Sequence, residues 1–136
     1  MTNYYFEKDI LGSIGTQKYL CNITWRNGTI IMDEPENIQG KDLGPDPYST
    51  LLASLAGCTL STLRMYIDRK EWDIPEIHVS LNFAMTTEGE FSTDIKREIR
   101  FSNEVPDDQK QRLLLIAGKC PVSKILENNI KIHTSI

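Results

Sequence analysis

The 136-residue chain lacks the signals of several large protein classes. It has no run of about 18 or more apolar residues, so we expect no membrane span. Its first residues show no basic stretch followed by an apolar one, so we expect a cytoplasmic protein without a secretory signal. The charge balance of 15 Lys+Arg against 19 Asp+Glu gives a formal net charge of −4. That balance argues against a sequence-independent nucleic-acid binder, which would carry a basic face.

Cysteine is scarce, and its three positions are Cys21, Cys58 and Cys120. An odd number in a chain without a secretory signal argues against a disulfide framework. No CxxC pair occurs, and the two histidines are not spaced with the cysteines as zinc ligands would be, so we expect no metal. Phosphate-binding glycine loops, HExxH and GxSxG are also missing. The cysteines are therefore either inert core residues or a redox pair.

What the sequence does contain is enough apolar material for one globular domain. Hydrophobic residues make up 40% of the chain, which argues against disorder. The length suits a single domain spanning residues 1–136 and needs no metal or disulfide for folding.

The order of predicted elements indicates an α+β fold. The predicted elements are a strand at 4–11 with a turn at 12–15, a hairpin at 18–32 about Asn27-Gly28, a loop at 33–47, a helix at 48–70, strands at 76–85 and 91–101, a helix from Pro106 to Gly118, a short helix at 120–126 and a last strand at 130–134. Pro47 at the first position and Asp46 as N-cap predict the start of the long helix. Residues 50–63 of that helix carry no charge, so we expect it to be covered by sheets or by a second subunit.

Two of the cysteines occupy positions where either a reactive or a structural role is reasonable. Cys120 precedes Pro121 at a predicted helix start, where free backbone N–H groups would stabilise a thiolate. Cys58 lies in the uncharged part of the long helix, where burial raises a thiol pKa unless an Arg or another donor is near. A small buried hydrophobe is the alternative for both, and Cys21 is predicted to be structural.

Three segments resemble the OsmC/Ohr family of osmotically inducible and organic hydroperoxide resistance proteins. They are the stretch from Gly44 to Tyr66, which contains Cys58, the stretch Lys119-Cys120-Pro121-Val122-Ser123-Lys124-Ile125-Leu126, and Asp33-Glu34-Pro35. The resemblance implies an OsmC-like fold, an intertwined homodimer with antiparallel sheets wrapped around long central helices and active sites at the subunit interface. It implies that Cys58 is the peroxidatic and Cys120 the resolving cysteine. It also implies a dithiol reductant, typically a lipoylated protein, and no metal, flavin or haem cofactor.

The chain departs from the family pattern at the residues that support the peroxidatic cysteine. Family peroxidases have a Glu directly after the Pro that matches Pro47, or one place later, and an Arg from the N-terminal region. In this chain Tyr48 and Ser49 stand at these two places and are possible supporting residues, Asp46 and Glu34 are the candidates to compensate for the Glu, and Lys18 and Arg26 are the candidates to replace the Arg.

The first functional hypothesis is a thiol-dependent peroxidase that reduces organic (alkyl or lipid) hydroperoxides through a sulfenate and a disulfide. The alternative is a non-catalytic OsmC-like binding module that holds an apolar small molecule at the dimer interface. A thiol redox sensor is a third hypothesis. Cysteines that lie far apart and dry would favour the binding module.

Overall fold

The computed structural model describes residues 3–136. Two compact units are present, one ending at Leu51 and the other running from Leu52 to Ile136, and each is described by itself. The single domain expected from length therefore stays a prediction.

Residues 3–136 combine antiparallel strands with three α-helices, which confirms the α+β prediction. In chain order the elements are β1 (Leu11–Ile14), β2 (Cys21–Trp25), β3 (Gly28–Met32), a 3-10 turn (Glu36–Ile38), α1 (Pro47–Arg69), β4 (Ile77–Thr86), β5 (Ser92–Phe101), α2 (Asp107–Ala117) and α3 (Pro121–Leu126).

The first unit contains an antiparallel sheet in the order β1-β2-β3. The predicted hairpin is confirmed, since Trp25 pairs with Gly28 across a two-residue turn. A Cβ added at Gly28 would lie 2.6 Å from the Trp25 ring, so a larger residue there would have to displace the indole.

The predicted strand at 4–11 and turn at 12–15 are wrong. The strand is Leu11–Ile14, in register with residues 21–24, and residues 4–10 form no strand. Gly12 is a strand residue opposite Ile23, and a Cβ there would lie 3.2 Å from the Ile23 side chain. The glycine therefore makes room for a cross-strand neighbour, a role that resembles a turn signal when the sequence is read alone.

The loop that follows β3 folds around a buried carboxylate. Asp33 is 1% exposed, and its carboxylate accepts hydrogen bonds from the backbone N–H groups of Glu34 at 2.8 Å and of Lys41 and Leu43 at 3.3 Å each. Three donors satisfy a charge that would otherwise be costly to bury. The predicted loop is confirmed apart from the 3-10 turn at Glu36–Ile38, and the Asp33 contacts explain how the segment is held in one conformation.

The Asp33→Ala variant is expected to unfold more easily by about 2 kcal/mol, because three backbone donors lose a buried, charged acceptor. Urea unfolding followed by circular dichroism measures the change. The control is Asp9→Ala, which truncates an exposed aspartate of the same unit. Equal stability of the two variants would contradict a structural role for the Asp33 carboxylate.

The second unit is built on a long β4–β5 hairpin, paired from Ile77–Phe101 to Thr86–Ser92. Alternate residues of β5 face inward, and they are Ile95, Arg97, Ile99 and Phe101. The core is formed by buried side chains of α1, α2 and the segments around them, namely Leu63, Tyr66, Ile67, Ile74, Val105, Leu113, Ile116 and Ala117.

Helix α1 begins and ends within one residue of its predicted bounds. The Asp46 carboxylate accepts a hydrogen bond from the backbone N–H of Ser49 at 3.4 Å, which is the expected N-cap contact. Buried residues recur at helical spacing in its later turns, and they are Leu55, Thr59, Leu63, Tyr66 and Ile67. By length and composition alone α1 is long and apolar enough to cross a membrane, a test that the core helix of a soluble protein also passes.

Helices α2 and α3 are confirmed, with Pro106 at the N-cap of α2 and not at its first turn. The predicted last strand at 130–134 is wrong, since these residues form no strand. A strand needs a partner, and no strand of residues 3–136 pairs with this segment. The Ile130 and Ile132 side chains are accordingly exposed.

Candidate active site

Cys58 and Cys120 are brought together in the second unit. The Cys58 thiol, half-buried on α1, is hydrogen-bonded to the Cys120 thiol, which lies at the N-cap of α3 and is fully buried. The backbone N–H of Val122, in the first turn of α3, also points at the Cys58 sulfur at 3.5 Å. The two sulfurs are therefore neighbours, and a disulfide of about 2.05 Å needs a local rearrangement.

The two thiols differ in acidity because their hydrogen-bond partners differ. Burial raises the pKa of Cys58, and the Val122 N–H opposes this rise in part. Burial also works against ionisation of Cys120, but hydrogen bonds from Cys58, Ser123 and Thr59 lower its pKa to about 7. Of the two thiols Cys120 is therefore the more acidic, with the Cys58 S–H as one of its donors.

Arg97 is the functional candidate that sequence reasoning missed. Its Nη1 group donates hydrogen bonds to Thr59 Oγ1 at 2.9 Å and to Ser123 Oγ at 2.7 Å. Both hydroxyl groups also contact the Cys120 sulfur. The available signal was the position of Arg97 between Ile95 and Ile99 on the apolar face of an alternating strand.

Two cavities of the second unit share the Arg97 side chain. The larger, about 490 Å³, lies along β5 and α2 and is lined by apolar groups such as Phe101 and Leu113. The smaller, about 270 Å³, is lined by Leu55, Ser123 and the chain around Asp94. A small molecule in either cavity can therefore reach Arg97, and in the smaller one it can also reach Ser123.

The other predicted site residues belong to the first unit. Asp46 caps α1, and the Ser49 hydroxyl, which donates to the Asp46 carboxylate, lowers its pKa. Tyr48 lies in the first turn of α1 and is exposed. Lys18 donates to the Gln39 side chain at 2.7 Å, and Arg26 lines a cavity beside Trp25. Their role toward Cys58 stays a prediction.

Within residues 3–136, no group of three or more His, Cys, Asp or Glu side chains is arranged to hold a metal ion. The chemistry available at the site is that of two thiols, two hydroxyls, one guanidinium and the α3 backbone.

Comparison with protein families matches residues 40–135 to the OsmC-like protein family. A search of curated proteins gave no match.

Solved structures match nearly the whole chain. A protein from Psychrobacter arcticus 273-4, described in terms of osmotic stress and detoxification responses, has a TM-score of 0.71 at 25% identity, covering 90% of this chain and 91% of its own. An OsmC-like protein from Mycoplasma pneumoniae has a TM-score of 0.70 at 20% identity, with 91% and 89% covered. An organic hydroperoxide resistance protein from Bacillus subtilis has a TM-score of 0.65 at 18% identity, with 93% and 94% covered.

Proposed function

We propose, on the premise that this chain belongs to the OsmC-like protein family, that it is a thiol-dependent peroxidase that reduces organic hydroperoxides. The family match confirms the resemblance carried by the two cysteine segments. The observation that carries the proposal is the hydrogen-bonded pair of Cys58 and Cys120, in which one sulfur is half-exposed and the other is buried and acidic. Several proteins of the same fold are named organic hydroperoxide resistance proteins, which supports the choice of substrate.

The first step uses the proton that the two sulfurs share. Cys120 accepts the Cys58 proton through their hydrogen bond, and the Val122 N–H stabilises the Cys58 thiolate that results. The Cys58 sulfur attacks the distal oxygen of the hydroperoxide, the O–O bond breaks, and the leaving alkoxide takes the proton from Cys120. The products are an alcohol, a Cys58 sulfenic acid and a Cys120 thiolate.

The second step forms a disulfide. The Cys120 thiolate attacks the Cys58 sulfenic sulfur, and hydroxide leaves and is protonated to water. A dithiol then attacks the disulfide, and a second exchange releases the reduced cysteines and the oxidised dithiol. A lipoyl group on a carrier protein is the dithiol we propose for this step, in the cytoplasm.

Exposed apolar side chains support a homodimer as the functional form. In α1, 28% of the most apolar 18-residue window is buried within the chain. Met65 on α1 and Leu114 and Leu115 on α2 are 71%, 66% and 61% exposed. Large side chains of this kind on two helices are the usual composition of a subunit interface, so we propose that a second copy covers them.

The binding module is the second candidate, because burial raises the pKa of Cys58 and slows its chemistry. In that case the cavities beside Arg97 would hold an apolar molecule, and the cysteines would be packing residues.

Turnover of cumene hydroperoxide with dihydrolipoamide separates the two candidates. A peroxidase is expected to consume cumene hydroperoxide well above a protein-free blank, and to consume hydrogen peroxide more slowly because it lacks an apolar group to bind. A rate equal to the blank for both peroxides would contradict the peroxidase and favour the binding module.

A further inference from the structure

Arg97 occupies an unusual position for a cation, because it lies on the inward face of β5. A single hydroxyl group, of Thr59 or Ser123, separates its guanidinium from the Cys120 thiol. We infer that Arg97 is a positioning residue whose guanidinium supplies the counter-charge of a Cys120 thiolate, acting through the hydroxyl groups of Thr59 and Ser123. The use of this thiolate to resolve a sulfenic acid rests on the proposed function, whereas the charge pairing itself does not.

Residues from three elements of the second unit meet at the Arg97 guanidinium. Arg97 comes from β5, Thr59 from α1 and Ser123 from α3. One guanidinium nitrogen reaches both hydroxyl oxygens, at 2.9 Å and 2.7 Å, and these partners are 38 and 26 residues away in the chain. Thr59 is fully buried and Ser123 is 4% exposed, so the hydroxyls work in a nearly dry environment. Hydrogen bonds to a charged donor are stronger there than in water.

The cation has no carboxylate partner within the described part of the chain. The ion pairs found in residues 3–136 join Arg64 to Asp68, His78 to Glu76 and Arg100 to Glu98. Asp94 and Glu127 line the same cavity as Arg97 without forming an ion pair with it. A half-buried guanidinium bound to neutral hydroxyls is stabilised by a nearby anion. The group that touches both hydroxyls and can ionise is the Cys120 thiol.

The hydroxyl groups of Thr59 and Ser123 couple the positive charge of Arg97 to Cys120, because each accepts a hydrogen bond from the guanidinium. An oxygen whose lone pair faces a guanidinium becomes a better donor, and the proton of Ser123 is free to point at the Cys120 sulfur. The Thr59 hydroxyl donates its proton to the Leu55 carbonyl at 2.7 Å, so Ser123 is the hydroxyl whose proton is available to the sulfur. Arg97 thereby leaves the Ser123 hydroxyl oriented as a donor to Cys120, and the bond to Thr59 holds the guanidinium in place.

The groups that face Cys120 from each packed element determine the expected pH behaviour. Cys58 from α1 is hydrogen-bonded to Cys120, Arg97 from β5 acts on it through Thr59 and Ser123, and Asp94 and Glu127 line the cavity beside Arg97. The carboxylates oppose ionisation of Cys120, and Arg97 and the Cys58 S–H favour it. A thiolate present near neutral pH attacks a sulfenic acid without a separate base.

The test measures ionisation of Cys120 without any peroxide. The background is Cys21→Ser with Cys58→Ser, which leaves Cys120 as the single cysteine and keeps a hydroxyl donor at position 58. The ultraviolet absorbance of the thiolate is followed against pH, since this readout requires no access to a buried sulfur. With Arg97 in place the midpoint is expected below about 8.5, the value of an unperturbed cysteine. In Arg97→Met it is expected to rise, because the hydroxyl beside the sulfur loses the guanidinium that orients it.

The matched control is Arg100→Met, three positions along the same strand on its exposed face, where Arg100 pairs with Glu98 at 3.8 Å. Its midpoint is expected to stay unchanged. Arg97→Lys is expected to give an intermediate midpoint, because a lysine keeps the charge but not the planar fork. Ser123→Ala is expected to raise the midpoint with Arg97 intact.

An unchanged midpoint in folded Arg97→Met would overturn the inference. If that variant does not fold, Arg97→Lys and Ser123→Ala decide in its place, and unchanged midpoints in both would overturn it equally. Because no peroxide or reductant is present, a protein without peroxidase activity can still show the predicted shifts. Failure of the proposed function and failure of this inference are thus distinguishable.

Discussion

The Cys58→Ser variant is expected to lose organic hydroperoxide turnover, with a fall in rate of about two orders of magnitude or more. The hydroxyl that replaces the thiol is not ionised at neutral pH and cannot be oxidised to a sulfenic acid. Cys120 remains in this variant as an acidic thiol, but it is fully buried. A rate equal to the protein-free blank would show that access to a half-exposed sulfur, and not thiolate character alone, decides which cysteine reacts.

The Cys120→Ser variant is expected to complete one oxidation and then stop. Its Cys58 sulfenic acid has no thiol partner, so it is expected to persist and to react with dimedone, giving an adduct visible by mass spectrometry of the intact protein. The control is Cys21→Ser, a substitution on β2 in the other unit, which is expected to keep full turnover. Full turnover in Cys120→Ser, or a dimedone adduct in Cys58→Ser, would contradict the assigned order of the two cysteines.

The local part of the structure could be predicted from sequence, because local signals determine it. The bounds of α1 follow from Asp46, Pro47 and a long stretch without charge, and the hairpin follows from Asn27-Gly28 between β-branched runs. The element predictions that are wrong depend on contacts between segments that are distant in the sequence. Gly12 reads as a turn residue until Ile23 is seen opposite it. The segment at 130–134 alternates like a strand but has no partner strand within the described chain.

The candidate site could be predicted in part, for the same reason. The resemblance identified both cysteines, and the helix start at Pro121 gave a physical reason for an acidic Cys120. The family resemblance also directed the search for a cation near Cys58 toward the N-terminal region, to Lys18 and Arg26. The cation that the structure places beside the cysteine pair comes from β5, and its partners are far away in the chain. The alternating pattern of the strand predicts that Arg97 faces inward. It does not predict that the guanidinium binds the hydroxyl groups of Thr59 and Ser123.

Helix α1 carries the site and the core on one face, so its packing determines the stability of the second unit. Leu63 is fully buried, one helical turn after Thr59, and it packs in the cluster with Ile67 and Leu113. The Leu63→Ala variant is expected to lose about 3 kcal/mol of unfolding free energy, because the truncation removes apolar contacts and leaves a cavity that a dense core fills incompletely. Urea unfolding gives the change as a lower midpoint at an unaltered slope.

The same truncation at an exposed position shows what the loss of a leucine side chain costs when the side chain is not buried. Leu43 is 58% exposed in the loop after β3, and Leu43→Ala is expected to change the unfolding free energy by no more than about 0.5 kcal/mol. A loss below about 1 kcal/mol in Leu63→Ala would mean that the core collapses onto the missing side chain. The cluster of Leu63, Ile67 and Leu113 would then not be the rigid support that holds Thr59 within reach of Arg97.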